Sequence, residues 1–312
     1  MKAMLPAAAA DSDQPVLLGE AAESEPADDE LVVAVEAYSV NRGETFQLDG
    51  ALSRRWPGWR PGKDVAGTVV RPAADGTGPA VGTRVVAHPP AYGWAERVAV
   101  PTASVAELPD SVDAVTAAAL PLAGITALRL LRAAGPVAGR RILLTGASGG
   151  VGHYVTELAA ASGAALTVVS ASEERGARLL ELGASRLVTS VHKAEGPYDI
   201  ALESVGGDSL PAALSRLAPG GLLVWFGQAS RTPVTLDFFD FFAGPAQAAV
   251  RHFDYTVSDT TYGQDLATLL RLVAAGRLHP ELGAVRDWSH TAQVISDLRN
   301  RRIRGNAVLT VG

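Results

Sequence analysis

Arg141-Ile-Leu-Leu-Thr145 runs straight into Gly146-Ala-Ser-Gly-Gly-Val-Gly152, and that passage decides the fold. RILLT (141–145) is a short apolar run of strand character, and VGHYVTELAAAS (151–162) has the spacing of a helix. Glycines between them let the backbone turn tightly and approach a pyrophosphate without Cβ clashes. Gly152 permits close packing of helix on strand. The helix start offers free N–H groups and a partial positive charge to an anion. Ala147 stands where the dinucleotide fingerprint has its first glycine, with Gly149 and Gly152 at the other two. A glycine turn that binds nothing is the competing reading, but the strand-turn-helix context is what the fingerprint requires. A dinucleotide pyrophosphate is therefore expected against Ala147, Ser148, Gly149, Gly150 and Val151.

Working outward, apolar runs alternate with helical patterns. The runs are LTVVS (166–170), RLVT (186–189), DIALES (199–204) and LLVWFG (222–227). Helices are expected over 151–162, 173–182 and 208–217, the last with Leu210, Ala213, Leu214 and Leu217 on one face. Near-continuous apolar strands between helices mean a parallel sheet covered on both sides, an α/β doubly wound Rossmann domain. Upstream the grammar differs. LVVAVEAYSV (31–40), 65–70, 83–87 and 92–100 read as short strands, with the turn-rich PAADGTGPAVG (72–82) among them, so a compact β-barrel unit is expected. Downstream, Leu266, Leu269, Leu270 and Val273 form one helical stripe and Val294, Ile295 and Leu298 another, before a last strand, AVLTV. One strand and two helices bury little core alone. The expected division is a catalytic domain over 1–119, a Rossmann domain over 120–255, and a return of 256–312 to the first domain.

Composition narrows the chemistry. The chain has 312 residues and no cysteine, which excludes disulfides, thiolate catalysis and cysteine-ligated zinc. That absence fits a reducing cytoplasm. A net charge of −6 offers no general attraction to nucleic acid or to an anionic membrane. No stretch reaches the ~20 apolar residues of a membrane span, and the start of the chain lacks a signal-peptide pattern.

The end of the second Rossmann strand separates the two nicotinamide cofactors. NAD-binding domains place an acid there to hold the ribose 2′-hydroxyl. This chain has Ser170-Ala-Ser172 instead; Glu173 and Glu174 fall in the next helix, and Arg175 and Arg178 follow. Small hydroxyls beside a guanidinium suit a 2′-phosphate, so NADPH is expected over NADH, with Ser170, Ser172 and Arg175 as its contacts and Arg178 as a solvated helix charge.

Nine phrases, in order, carry a family resemblance: AYSVNRGE (37–44), RPGKDVAGTVV (60–70), VGTRV (81–85), YGWAERVAV (92–100), LPLAGITAL (120–128), LLTGASGGVG (143–152), LGAS (182–185), ESVGG (203–207) and LLVWFGQAS (222–230). Over nearly its whole length the chain resembles the zinc-free quinone oxidoreductase branch of the medium-chain dehydrogenase/reductase superfamily. The resemblance implies a GroES-like barrel domain, a Rossmann domain and NADPH-dependent reduction of a quinone or activated alkene. It also implies a homodimer paired through Rossmann sheet edges. Residue by residue, it implies Asn41 near the nicotinamide, Thr126 near the cofactor, and Phe226, Gly227 and Gln228 at the carboxyl edge of the sheet. Zinc-dependent relatives carry G-H-E where this chain has Gly62-Lys63-Asp64, and its six histidines show no metal-ligand spacing, so no metal is expected. Ser190 stands where relatives often have a tyrosine for the 2′-phosphate, and Asn306 where they usually have a lysine.

Without metal, hydrogen bonds must hold the oxygen that gains charge as hydride reaches a small-molecule enone or quinone. Asn41 and Tyr92 are the first candidate donors, with Tyr38 and Trp94 behind them. Trp56 and Trp59 are candidates for an aromatic pocket wall. Three alternatives stay open at this level: reduction of an enoyl thioester, a recruited non-redox step such as cyclisation or elimination, and an RNA-binding role, against which the acidic balance argues.

Overall fold

In a computed structural model, which describes residues 1–7, 14–50, 58–242 and 244–312, the chain divides into two units. Met1–Ile125 and Asp259–Gly312 form one, Thr126–Ser258 the other.

The first unit opens with an antiparallel hairpin, β1 (Lys2–Pro6) and β2 (Val16–Glu20). The long β3 (Glu30–Val40) follows, then α1 (Arg42–Leu48), β4 (Val65–Arg71), β5 (Arg84–Ala87), β6 (Arg97–Pro101) and β7 (Val105–Glu107). α2 (Ala114–Ala118) and α3 (Pro121–Ala134) complete this part, and the division between units falls inside α3. β3 organises the sheet. Along one edge it pairs β4; along the other its first half, Glu30 to Ala34, pairs β6. The register with β4 shifts between Val35 and Ala37, a bulge that re-aims the strand. The run 92–100 yields a strand only from Arg97. Tyr92 sits at φ 72, and its segment instead hydrogen-bonds to the Arg60, Pro61 and Gly62 carbonyls. A β side chain at Gly62 would lie 2.2 Å from the Trp94 nitrogen, so only glycine lets these two segments approach.

The second unit is a six-stranded sheet: β8 (Arg141–Leu144), α4 (Gly150–Ala161), β9 (Ala165–Val169), α5 (Glu173–Glu181), β10 (Arg186–Val188), β11 (Tyr198–Glu203), α6 (Ser209–Leu214), β12 (Leu217–Trp225) and β13 (Ala249–His252). Every pairing is parallel, in the order β10-β9-β8-β11-β12-β13. That is the doubly wound order whose reversal lies between β8 and β11. Leu143, Ala201, Leu210, Leu214 and Leu223 sit in its core. The helix expected over 208–217 stops at Leu214. Leu217 instead opens β12 and pairs Tyr198, because parallel pairing with β11 outcompetes a further helical turn.

The chain then adds α7 (Tyr262–Ala274), β14 (Leu282–Asp287), α8 (Thr291–Arg299) and β15 (Asn306–Thr310) to the first unit. β15 pairs antiparallel with β3 over Ala37 to Val40, the half that β6 leaves, and β14 pairs parallel with β15. Leu266, Leu269, Leu270, Val294 and Ile295 are buried. No helix of the described residues is long and apolar enough to cross a membrane.

Candidate functional site

In the second unit the glycine turn meets the start of α4 at the sheet's reversal point. Gly149 is the N-cap, in extended backbone, with no side chain capping the helix. The first-turn amides of a helix have no acceptor within it, so those of Gly150 and Val151 are donors for an incoming anion. The two flanking glycines do different work. A Cβ on Gly152 would lie 2.2 Å from the Ala147 carbonyl oxygen, whereas one on Gly149 meets only the Gly146 oxygen at 3.5 Å. Gly152 is a packing requirement; Gly149 leaves an open cradle. Ala147 and Ser148 are buried beside it.

Across the reversal, Glu203 is fully buried at the end of β11. Its carboxylate accepts from Thr145 Oγ1, Val205 N and Gly206 N, each at 3.0 Å. Ser204 donates its amide to Thr145 Oγ1 at 3.0 Å and its hydroxyl to the Thr145 carbonyl at 3.1 Å. These bonds clamp the glycine turn to ESVGG. The clamping role of ESVGG is not among the sequence expectations; a lone glutamate ending an apolar strand is the signal that points to it. Phe226, Gly227 and Gln228 follow the last residue of β12, at the carboxyl edge of the sheet. The Gln228 side chain donates to the Thr232 carbonyl at 3.0 Å.

Three buried hydroxyls have no hydrogen-bond partner: Thr126 Oγ1 on α3, Ser170 Oγ after β9, and the Tyr198 hydroxyl at the start of β11. A buried hydroxyl without a partner costs about 1–3 kcal/mol, which a ligand can recover. Ser172 is the N-cap of α5, its hydroxyl accepting from Arg175 N at 3.3 Å. Glu173 and Glu174 lie in the first turn of that helix, where its dipole favours them. Arg178 pairs with Glu181 at 2.6 Å. Ser190 caps a short 3-10 turn by accepting from His192 N.

In the first unit a polar cluster lies where three strands share one end. Tyr38 of β3 pairs Val65 of β4, which pairs Ala87 of β5. The residues beside that row therefore converge: Ser39 and Asn41, Asp64, and His88. Asp64 is fully buried. Its Oδ2 accepts from Ser39 Oγ at 2.6 Å and Asn41 Nδ2 at 2.7 Å; its Oδ1 accepts from Leu122 N at 3.0 Å and faces His88 Nδ1 at 3.2 Å. Leu122 lies in the first turn of α3, so the carboxylate also caps that helix. Next to it, Glu44 of α1 accepts from the amides of Asn41, Gly62 and Lys63 at 2.9, 3.0 and 3.0 Å. Burial, and then the Asp64 charge, push the Glu44 carboxyl up to about 8 against those hydrogen bonds.

This geometry corrects several candidate donors. Both hydrogens of the Asn41 amide point inward, to Asp64 and, at 3.2 Å, to Ser39 Oγ. A carboxylate cannot donate, so the amide orientation is fixed, and its Oδ1 end is an acceptor rather than the expected donor. Trp94 Nε1 donates to the Ser39 carbonyl at 3.0 Å, and Tyr38 shares a 2.7 Å bond with Thr291 Oγ1 while stacking on Trp94. Both rings sit in the hydrophobic core of the first unit. Tyr92 is half-buried, with the Arg60 guanidinium 5.2 Å from its ring centre. Trp59 is buried, and Trp56 lies outside the described residues.

Known proteins share this plan. Residues 27–110 match the alcohol dehydrogenase GroES-like domain, and residues 150–275 match the zinc-binding dehydrogenase family. The human quinone oxidoreductase is 30% identical over 274 residues, 83% of this chain and 82% of that protein. The chain belongs to the medium-chain dehydrogenase/reductase superfamily, in its quinone oxidoreductase branch. A zinc-type alcohol dehydrogenase-like protein of Leptosphaeria maculans is 30% identical over 199 residues, 59% of this chain but only 53% of that relative's length. A mycobacterial protein whose structure was solved with NADPH has 25% identity and a TM-score of 0.88, covering 99% of this chain and 100% of the other.

As a quinone oxidoreductase-branch member, the chain is an oxidoreductase, and its departures from zinc-dependent relatives can be weighed chemically. It has no cysteine, and Lys63 stands in the G-H-E phrase. Asp64 already receives three N–H or O–H donors and faces the His88 ring. Among the described residues no group of three His, Cys, Asp or Glu side chains is arranged to hold a metal ion. The donor set does not fit zinc. The dinucleotide fits better: an open glycine cradle at a helix start offers amide donors to a phosphate, and the unpartnered hydroxyls of Thr126 and Ser170 lie in the same unit.

Proposed function

We propose that this chain is an NADPH-dependent reductase that delivers hydride to a quinone, an enone or a similar activated alkene without metal. The observation that carries the reading is the open cradle at Gly149 on the uncapped start of α4, in the unit that also holds the unpartnered hydroxyls of Thr126 and Ser170. Gly150 and Val151 amides hold the pyrophosphate, with Ala147 and Ser148 lining the turn. Ser170, Ser172 and Arg175 take the 2′-phosphate, and Phe226, Gly227 and Gln228 border the nicotinamide side. When bound, the dinucleotide supplies the hydride.

The protein's own groups orient and solvate. Asn41 accepts a hydrogen bond from a carboxamide or hydroxyl of the bound ligands, held in that orientation by Asp64. Tyr92 supplies a hydroxyl donor to the substrate oxygen that gains charge, with the proton for carbon coming from water. We also read the protein as a homodimer. β13 is an edge strand, and Phe238, Phe239 and Phe242 nearby are 69–72% exposed, an apolar patch of the sort that pairs chains.

Parallel titrations with NADPH and NADH test the cofactor, followed by turnover on quinones and enones. NADPH binds several-fold tighter, and Arg175→Ala removes most of that difference while leaving NADH binding in place. Equal affinities for the two cofactors in the unaltered protein end the 2′-phosphate assignment; no affinity for either ends the reductase reading.

A further inference from the structure

In the first unit a hollow of about 500 Å³ is lined by residues that include Leu5, Ala22, Glu23, Trp59, Arg60 and Tyr92. Arg60 is its unusual member. It is 8% exposed, its Nε has no hydrogen-bond partner, and among the described residues its side chain makes a single long hydrogen bond, 3.4 Å from Nη1 to the Ala22 carbonyl. Among the described residues no carboxylate pairs with it. Glu23, the acid on the wall, is held by Arg97 at 2.7 Å. A guanidinium cannot shed its proton to escape burial, so a buried one without an acid is normally completed by an anion. Aromatic surface surrounds it: the guanidinium lies over the Tyr92 ring, and Trp59 lines the same hollow. Tyr92 holds this place at φ 72, a conformation costly for an aromatic residue. Its amide is bonded to the Arg60 carbonyl at 3.1 Å, so the strained turn and the arginine are one assembly.

We infer that this hollow binds a planar organic carboxylate, its acid group on Arg60 and its ring against Tyr92 and Trp59. A carboxylate matches the fork of a guanidinium in two parallel bonds, and a flat ring matches the aromatic wall. This goes beyond the reductase reading, with which it shares only Tyr92, and does not need it, because binding is measured without cofactor or turnover.

The test uses the full chain, with benzoate and its neutral isostere benzamide titrated by calorimetry or ligand-detected NMR. Benzoate is expected to bind saturably and at least about tenfold tighter than benzamide, and Arg60→Leu is expected to abolish that margin while Arg60→Lys keeps part of it. Equal binding of the two probes to the unaltered protein, or benzoate affinity unchanged in Arg60→Leu, overturns the inference. Should Arg60→Leu fail to fold, the comparison of probes on the unaltered chain decides alone.

Discussion

Asn41 Nδ2 donates to Asp64 Oδ2 at 2.7 Å, and this bond fixes the orientation of the amide. The same carboxylate gathers Ser39 and the first turn of α3. Asp64→Ala strands several buried donors at once, so a loss of about 3–5 kcal/mol is expected, with Asp64→Asn costing about 1–3 kcal/mol. Urea denaturation measures both. An unchanged midpoint in Asp64→Ala would mean the cluster is incidental.

Glu44 makes stability depend on pH in an uncommon direction for an acid. Its folded carboxyl sits near 8, against an ordinary value of 4.5. The folded state therefore holds a proton that the unfolded state releases. Its contribution is full below the unfolded value, declines as pH rises between the two, and is gone above about 8. Replacing it by glutamine removes the titration. Melting temperature followed from pH 5 to 8 (roughly the span between those two values) should therefore fall more steeply in the native protein than in Glu44→Gln. Parallel curves would refute the assignment.

The two glycines of the turn should separate folding from binding. Gly152→Ala forces a methyl against the Ala147 carbonyl and should destabilise by about 2 kcal/mol or more. Gly149→Ala has room, and its backbone suits alanine, so stability should change by only a few tenths of a kcal/mol. Its methyl nevertheless stands in the cradle, and NADPH affinity should drop about tenfold. If Gly149→Ala binds NADPH as the native chain does, the pyrophosphate is held elsewhere.

Thr126→Val removes an unpartnered buried hydroxyl while keeping the shape. The free protein should become more stable by roughly 1 kcal/mol, yet bind NADPH more weakly. Thermal shift with and without NADPH reads both effects. A variant less stable when free and unaltered in binding would show that the hydroxyl has a partner within the protein.

Much of this was readable from local pattern. The apolar runs at 141–145, 166–170, 186–189 and 199–204 each fall on a strand, because buried parallel strands write themselves as short β-branched runs. The glycine turn falls where strand becomes helix. Leu217 satisfies both helical spacing and strand pairing, and only the partner, Tyr198, settles which. The segment 92–96 alternates like a strand, but the backbone turns at Tyr92 to meet Gly62, thirty positions away in a different element. The β1–β2 hairpin and the edge strands β13 and β14 left no clear periodic signal; they are short or largely exposed.

The chain's own order of residues determined the doubly wound unit and the place of its glycine cradle, since both follow from neighbours a few positions apart. Only the tertiary structure decided the acid cluster. Ser39, Asp64, His88 and Leu122 are far apart along the chain, and antiparallel pairing of β3, β4 and β5 brings the first three to one sheet end beside the start of α3. A buried carboxylate must be met by donors, and which donors reach it is fixed by strand register, a property no short stretch of sequence contains.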